Sequence, residues 1–330
     1  MAEGQLRFDE IAGRALAEYE LGEHIRTFIQ HSDNATFKVE GPGGDAYLLR
    51  IHVPVSSAMG AHGADPAMVR SELQWLDALS RDTDLVLPEP VRNQAGALVT
   101  AVAGGDGSAP VNCTLMRWVE GQPYHRDLES EQAARSIGQT IATLHNHASQ
   151  WMVPQGFTRP KRDIAYFESA LATVKLARDD GRISQADWAQ LEHATGLVVE
   201  MLGAMAEDPQ THGIMHADTH KGNMLLDGDQ IRLIDFSFCA FGNYMFDVGI
   251  CLGDMKPRLY DVFLDSYARH RPFPDDYEQI VEGLWVGSMV GTFSYWVANP
   301  NAQELLARKV PEIVRDFVSK YNRGERFRFR

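Results

Sequence analysis

Hydrophobic and polar positions alternate through the first third of the chain and recur every three or four residues through most of the rest. Phe37 and Val39 alternate with polar neighbours over 36–40, the turn-forming run Gly41-Pro42-Gly43-Gly44-Asp45 follows, and 47–52 reads as a return strand. Alternation on both sides of such a turn predicts a hairpin. Residues 53–66, rich in Ala, Gly and Ser, read as a connector. Val69, Leu73, Leu76 and Leu79 then share one stripe of a helix predicted over 69–79. Short strands are predicted at 97–102 and 113–119, with turn chemistry between them at 103–110 and a link at 120–123.

From about residue 128 the pattern turns helical. Ser130 is placed to cap a helix reaching residue 148, with Ala134, Ile137, Ile141 and Leu144 on its inner face. Ser184-Gln185-Ala186-Asp187 has the form of a capping box before a helix ending near 206. Pro311 suits the first turn of a last helix over 311–321. In the uncharged stretch 283–298, Gly283, Gly287 and Gly291 recur at every fourth position. That stretch is shorter than the roughly 20 residues a membrane span needs, so it reads as a buried helix lying close against a neighbour. The expected fold class is α+β: a small antiparallel-sheet lobe over 1–120 and a larger, mainly helical lobe over 121–330.

Charge narrows the function. Thirty-one Lys and Arg against 45 Asp and Glu leave a formal charge of -14, the wrong sign for a protein that holds nucleic acid by neutralising phosphates. Cys113, Cys239 and Cys251 are far apart and form no C-x-x-C pair, which fits neither a disulfide framework nor a thiolate zinc site. The expected setting is reducing and cytoplasmic, and the N-terminal residues carry no basic stretch followed by an apolar one.

One segment concentrates chemistry. His216-Ala217-Asp218-Thr219-His220-Lys221-Gly222-Asn223 is followed, twelve residues after Asn223, by Asp235 in Leu233-Ile234-Asp235-Phe236. Apolar runs on either side of Asp227-Gly228-Asp229 predict a hairpin that sets Asn223 opposite roughly Leu233 or Ile234. Asn223 and Asp235 then leave its open end together, as hard oxygen ligands of the kind Mg²⁺ accepts. Asp218 is placed to take a proton from a substrate hydroxyl. This is the division of labour in kinase-type phosphoryl transfer. Upstream, Arg50 on the second hairpin strand is the residue to hold nucleotide phosphates. Glu72 shares the inward stripe of the helix after it and needs a basic partner, for which Arg50 is the candidate. The strand over 113–119 would serve as a hinge, with backbone groups near Met116 and Trp118 meeting adenine.

With these motifs in place, the sequence resembles the aminoglycoside phosphotransferase and choline kinase superfamily, small-molecule kinases with a protein-kinase-like bilobal fold. The resemblance runs from Asn34 to about residue 270 and is strongest in IMHADTHKGN, RLIDF and Tyr244-Met245-Phe246-Asp247-Val248. It implies Mg-ATP as donor, held between the lobes, Asp218 as catalytic base, and Asn223 with Asp235 as metal ligands. Asp247 would buttress the catalytic loop. It also implies a small hydroxylated acceptor: an amino alcohol, a choline-like amine, a sugar or an aminoglycoside. Arg50 stands where the family often has Lys, His220 where protein kinases place a catalytic-loop Lys, and Ser237 where they have Gly. Neither G-x-G-x-x-G nor A-P-E is present, which argues against a protein kinase and leaves 29–36 as the nucleotide loop. The alternative from another class is a nucleotide-binding regulatory protein without transfer activity. His220 is left with two readings, loop support or phosphate contact. Trp285, Phe293, Tyr295 and Trp296 read as core, with an acceptor-facing role as the alternative.

Overall fold

In the first third, the alternating residues build an antiparallel sheet. The computed structural model describes residues 2–31, 34–53, 65–104 and 109–327, with the main chain only for 2–6. The chain divides into two units, the first made of 1–120 with 153–159 and 234–237, the second of the remainder. A single cut at 120/121 therefore does not describe the division, because two short segments from later in the chain belong to the first unit.

The first unit contains α1 (Ala2–Leu16), β1 (Ile25–His31), β2 (Ala35–Glu40), β3 (Ala46–Ile51), α2 (Pro66–Asp82), β4 (Pro90–Val91), β5 (Thr100–Val102) and β6 (Val111–Arg117). The sheet order is β1-β2-β3-β6-β4, with β5 also paired to β6. The predicted hairpin is β2–β3, in a register that sets Phe37 opposite Leu49. Phe37, Val39, Leu49, Ile51 and Leu115 form a core with Ile11, Ala12, Ala15 and Leu16 of α1. Asp65 caps α2 by accepting the Ala67 N–H, and Pro66 stands at its first turn. The helix outruns the predicted 69–79 by three residues at each end, Pro66-Ala67-Met68 behind the Asp65 cap and the polar Ser80-Arg81-Asp82. The predicted strand 97–102 contracts to β5, and 113–119 shifts to β6. The nucleotide loop predicted at 29–36 is mostly strand: 29–31 lie in β1 and 35–36 in β2. Residues 32 and 33, most of the connector at 54–64 and the turn at 105–108 lie outside the described residues.

The second unit contains β7 (Gln122–Pro123), α3 (Glu131–Gln150), α4 (Ile164–Asp179), α5 (Gln185–Ala204), β8 (His212–Met215), β9 (Met224–Asp227), β10 (Gln230–Leu233), β11 (Ala240–Asn243), α6 (Met245–Asp254), α7 (Tyr260–His270), α8 (Tyr277–Ala298), α9 (Gln303–Ile313) and α10 (Ser319–Asn322). Ser130 accepts the Ala133 N–H at the start of α3. At α5 the Ser184 hydroxyl accepts the Asp187 N–H and donates to the Asp187 carboxylate. The glycine stripe of α8 is a packing face: Cβ atoms there would meet Met201 at 283, Phe167 at 287 and Tyr166 at 291. Trp285 and Phe293 are core residues of this unit, with Trp296 packed against them. Pro311 does not open a helix; it lies inside α9, which continues through a π-wound turn at Val314–Val318 into α10. A proline inside a helix removes one i→i−4 bond, and the widened turn follows it directly. Among the described residues no helix is long and apolar enough to cross a membrane.

Candidate active site

In the first unit, three predicted residues come together around Arg50. Its place on β3 puts the guanidinium beside α2, where Nη1 donates to Glu72 Oε1 at 2.7 Å. Nη2 reaches Asp235 Oδ1 at 3.3 Å. Arg50 and Glu72 are both buried, so each charge depends on its partners. Asp235 sits in the left-handed region (φ 59°), and its Oδ1 also accepts from the Ser237 hydroxyl at 2.6 Å. Arg159 was not foreseen. Its buried guanidinium donates to Met68 O on α2 and to Ser237 O, tying the helix that carries Glu72 to the segment that carries Asp235. It belongs to an irregular stretch with no periodicity, so no pattern marks it out.

Met116 is wholly buried in β6 and lies opposite both Leu48 and Pro90. Trp118 donates its N–H to Ala46 O at 2.9 Å. The Trp118 N–H is therefore committed to the sheet.

In the second unit the loop between β8 and β9 carries Asp218 and Asn223. Asp247, in the first turn of α6 and fully buried, accepts the His216 N–H at 3.0 Å and the Ala217 N–H at 2.7 Å. The Thr219 hydroxyl donates to the Asp247 carbonyl. These bonds hold Ala217 at φ 62°, a conformation costly for a residue with a Cβ. Behind Asp247 is a group that sequence reasoning missed. His145 Nε2 lies 3.2 Å from Asp247 Oδ2, and Nδ1 lies 3.0 Å from the Tyr267 hydroxyl. Burial holds the His145 pKa below its ordinary value, outweighing the pull of Asp247. A neutral ring facing a carboxylate carries its proton on Nε2, and Nδ1 then accepts from Tyr267. His145 falls on the buried face of α3 near Leu144, where it reads as one more core position.

Asn223 spends its amide nitrogen on the loop, donating to Asp218 Oδ2 at 2.6 Å and to Asp218 O at 2.9 Å. Its Oδ1 is the atom left to face a cation. The β9–β10 register ends with Leu233 opposite Met224, so Asn223 and Ile234 flank the last pair, as the sequence spacing predicted. The amide oxygen of Asn223 in the second unit and the carboxylate of Asp235 in the first are each a hard oxygen donor of the type Mg²⁺ accepts. Lys221 is fixed by Glu129 at 2.6 Å and Asp254 at 3.3 Å. His220 accepts the Gly222 N–H at Nδ1.

The profile of the phosphotransferase enzyme family matches residues 24–280. The chain belongs to that family, and it is a kinase that phosphorylates a hydroxyl group of a small molecule. It is 29% identical to a homoserine kinase of Neisseria meningitidis over 333 residues, covering 94% of this chain and 96% of that one. A homoserine kinase of Methylobacillus flagellatus is 26% identical over 241 residues, 68% of each protein. Among solved structures, a microcompartment-associated aminopropanol kinase superposes with a TM-score of 0.76 at 23% identity, over 97% of this chain and 99% of that one. An amicoumacin kinase superposes at 0.75 and 17% identity, over 95% and 96%. These structural likenesses show the fold: an antiparallel sheet and a helical half, as in other small-molecule kinases.

Proposed function

We propose that the chain transfers the γ-phosphoryl group of ATP to the hydroxyl of a small amino alcohol. Asp218 takes the hydroxyl proton while the acceptor oxygen bonds to the γ-phosphorus; the bond from that phosphorus to the β–γ bridging oxygen breaks, and ADP leaves. Asn223, through Oδ1, and Asp235 would hold Mg²⁺, which when bound neutralises charge on the phosphates. Arg50, oriented by Glu72, holds the donor phosphates, and the end of β6 near Met116 and Trp118 offers backbone groups other than the Trp118 N–H to adenine. Catalysis then rests on positioning and electrostatics, since phosphoryl transfer asks little covalent chemistry of the protein. The amino-alcohol class rests on the relatives, one named for aminopropanol and others for homoserine. A cytoplasmic setting accords with three buried cysteines that form no disulfide.

The observation that carries this reading is the Asp218 loop, fixed at the backbone by Asp247 and at the side chain by Asn223. ADP release from Mg-ATP, measured against a panel of amino alcohols, choline, sugars and aminoglycosides, tests it. Turnover with an amino alcohol is expected, and Asp218→Ala should lower kcat by about 10²–10⁴-fold while nucleotide still binds. Nucleotide binding without turnover across the panel would replace the kinase with a regulatory nucleotide-binding protein.

A further inference from the structure

We propose that His220 is a positioning residue for Asp218, and that residue 222 is glycine in order to seat it. The proposal rests on the reading of Asp218 as the catalytic base.

Three distances carry it. His220 Nδ1 accepts the Gly222 N–H at 2.9 Å, so the Nδ1 lone pair is occupied and the proton of the neutral ring is on Nε2. That Nε2 lies 3.5 Å from Asp218 Oδ2, beyond a good hydrogen bond but within the range that tightens when substrate binds. A Cβ at residue 222 would stand 2.5 Å from His220 Cε1 and 2.8 Å from Nδ1. Glycine alone leaves room for the imidazole at this position to receive the N–H of residue 222. Gly222 is not required for its φ, since it is not among the left-handed glycines; the requirement is space.

Asn223 Nδ2 donates to the same Oδ2 at 2.6 Å. Two N–H groups thus converge on one oxygen of Asp218, and Oδ1 is the oxygen that receives the acceptor proton. Asn223, five positions after Asp218, already holds that oxygen, and the His220 ring two positions after it stands where a small closure would add a second restraint. His220 is about half exposed, so core packing does not explain where its ring lies. A lysine here would carry a charge towards phosphate but could not accept the Gly222 N–H.

Kinetics of ADP release from Mg-ATP with homoserine and with aminopropanol, together with ¹⁵N spectra of the labelled imidazoles, test the proposal. His220→Ala should lower kcat on the order of 10²-fold, the scale of a small misplacement of a reacting group, with KM for ATP unchanged. His220→Gln, whose amide N–H reaches the position of Nε2, should recover part of the loss. Gly222→Ala should match His220→Ala in kcat, and should disperse the single Nε2–H tautomer expected for His220 in the unaltered protein. An unchanged kcat in His220→Ala, or a raised KM for ATP with kcat retained, overturns the proposal; the latter would make His220 a phosphate contact. A His220 protonated at Nδ1 overturns it too, and leaves the kinase reading standing. If Asp218→Ala keeps near-normal turnover, or the unaltered protein turns over neither acceptor, the kinase reading as stated falls and this proposal with it.

Discussion

Arg50 and Glu72 form a buried ion pair in which each charge depends on the other. Removing one partner leaves the other charge buried and uncompensated, at a cost of about 3–5 kcal/mol. Arg50→Met and Glu72→Met should each lower the denaturation midpoint sharply, and the double variant should lose less than the sum. A double-mutant cycle in urea measures that coupling. The pair was legible because a carboxylate on an apolar stripe demands a cation. Arg159 was not, because its partners are carbonyls, which leave no mark on the sequence.

His145 is the corresponding case in the second unit. Its pKa in the folded protein is below the ordinary 6.5 because burial disfavours the charged ring. The unfolded chain therefore takes up a proton first as pH falls. The contribution of His145 to stability is whole above about pH 6.5 and declines below it. His212, also lowered by burial, works in the same direction. Thermal unfolding followed from pH 7.5 to 5 should show a falling Tm, and His145→Asn should flatten that slope without abolishing it. An equal slope in the variant would assign the dependence elsewhere.

Among the elements, close packing at glycine separates positions that look alike in sequence. A Cβ at Gly138 of α3 would stand 2.5 Å from the carbonyl oxygen of Phe263 on α7. That neighbour is backbone and cannot swing aside. Gly196 of α5 is exposed and has nothing within 4 Å. Gly138→Ala should destabilise by about 1–3 kcal/mol through overpacking. Gly196→Ala should stabilise by up to about 1 kcal/mol through helix propensity. Chemical denaturation of the two variants checks both signs. Elements with local signals were readable: the β2–β3 hairpin from its turn, α3 and α5 from their caps. Those without were not. β1 is exposed along most of its length, so burial imposes no alternation on it. Much of what α1 buries is alanine, which gives little contrast. Pro311 is ambiguous in sequence, because a proline suits a first helical turn but here lies inside α9, ahead of a π-wound turn.

For the whole molecule, the net charge of -14 says little about function on its own. The specific information was in some twenty residues, from His216 to Asp235, whose spacing matches that of kinase-type phosphoryl transfer. Spacing identifies which residue types act but not the contacts that hold them. The Asp247–His145–Tyr267 chain joins α3 to the sequence-distant α6 and α7, and no local window contains it.

The assignment of 234–237 to the first unit has a consequence for biosynthesis. When residue 120 leaves the ribosome, the sheet, α1 and α2 have all been synthesised, and Arg50 can already meet Glu72. Asp235, the second carboxylate on Arg50, and Phe236, whose ring lies edge-on to Trp75 at 5.6 Å, are still more than a hundred residues from being made. The nascent unit thus exposes one face of Trp75 and one side of the guanidinium throughout translation of α3 to α5. A fragment ending at residue 120 keeps that defect permanently.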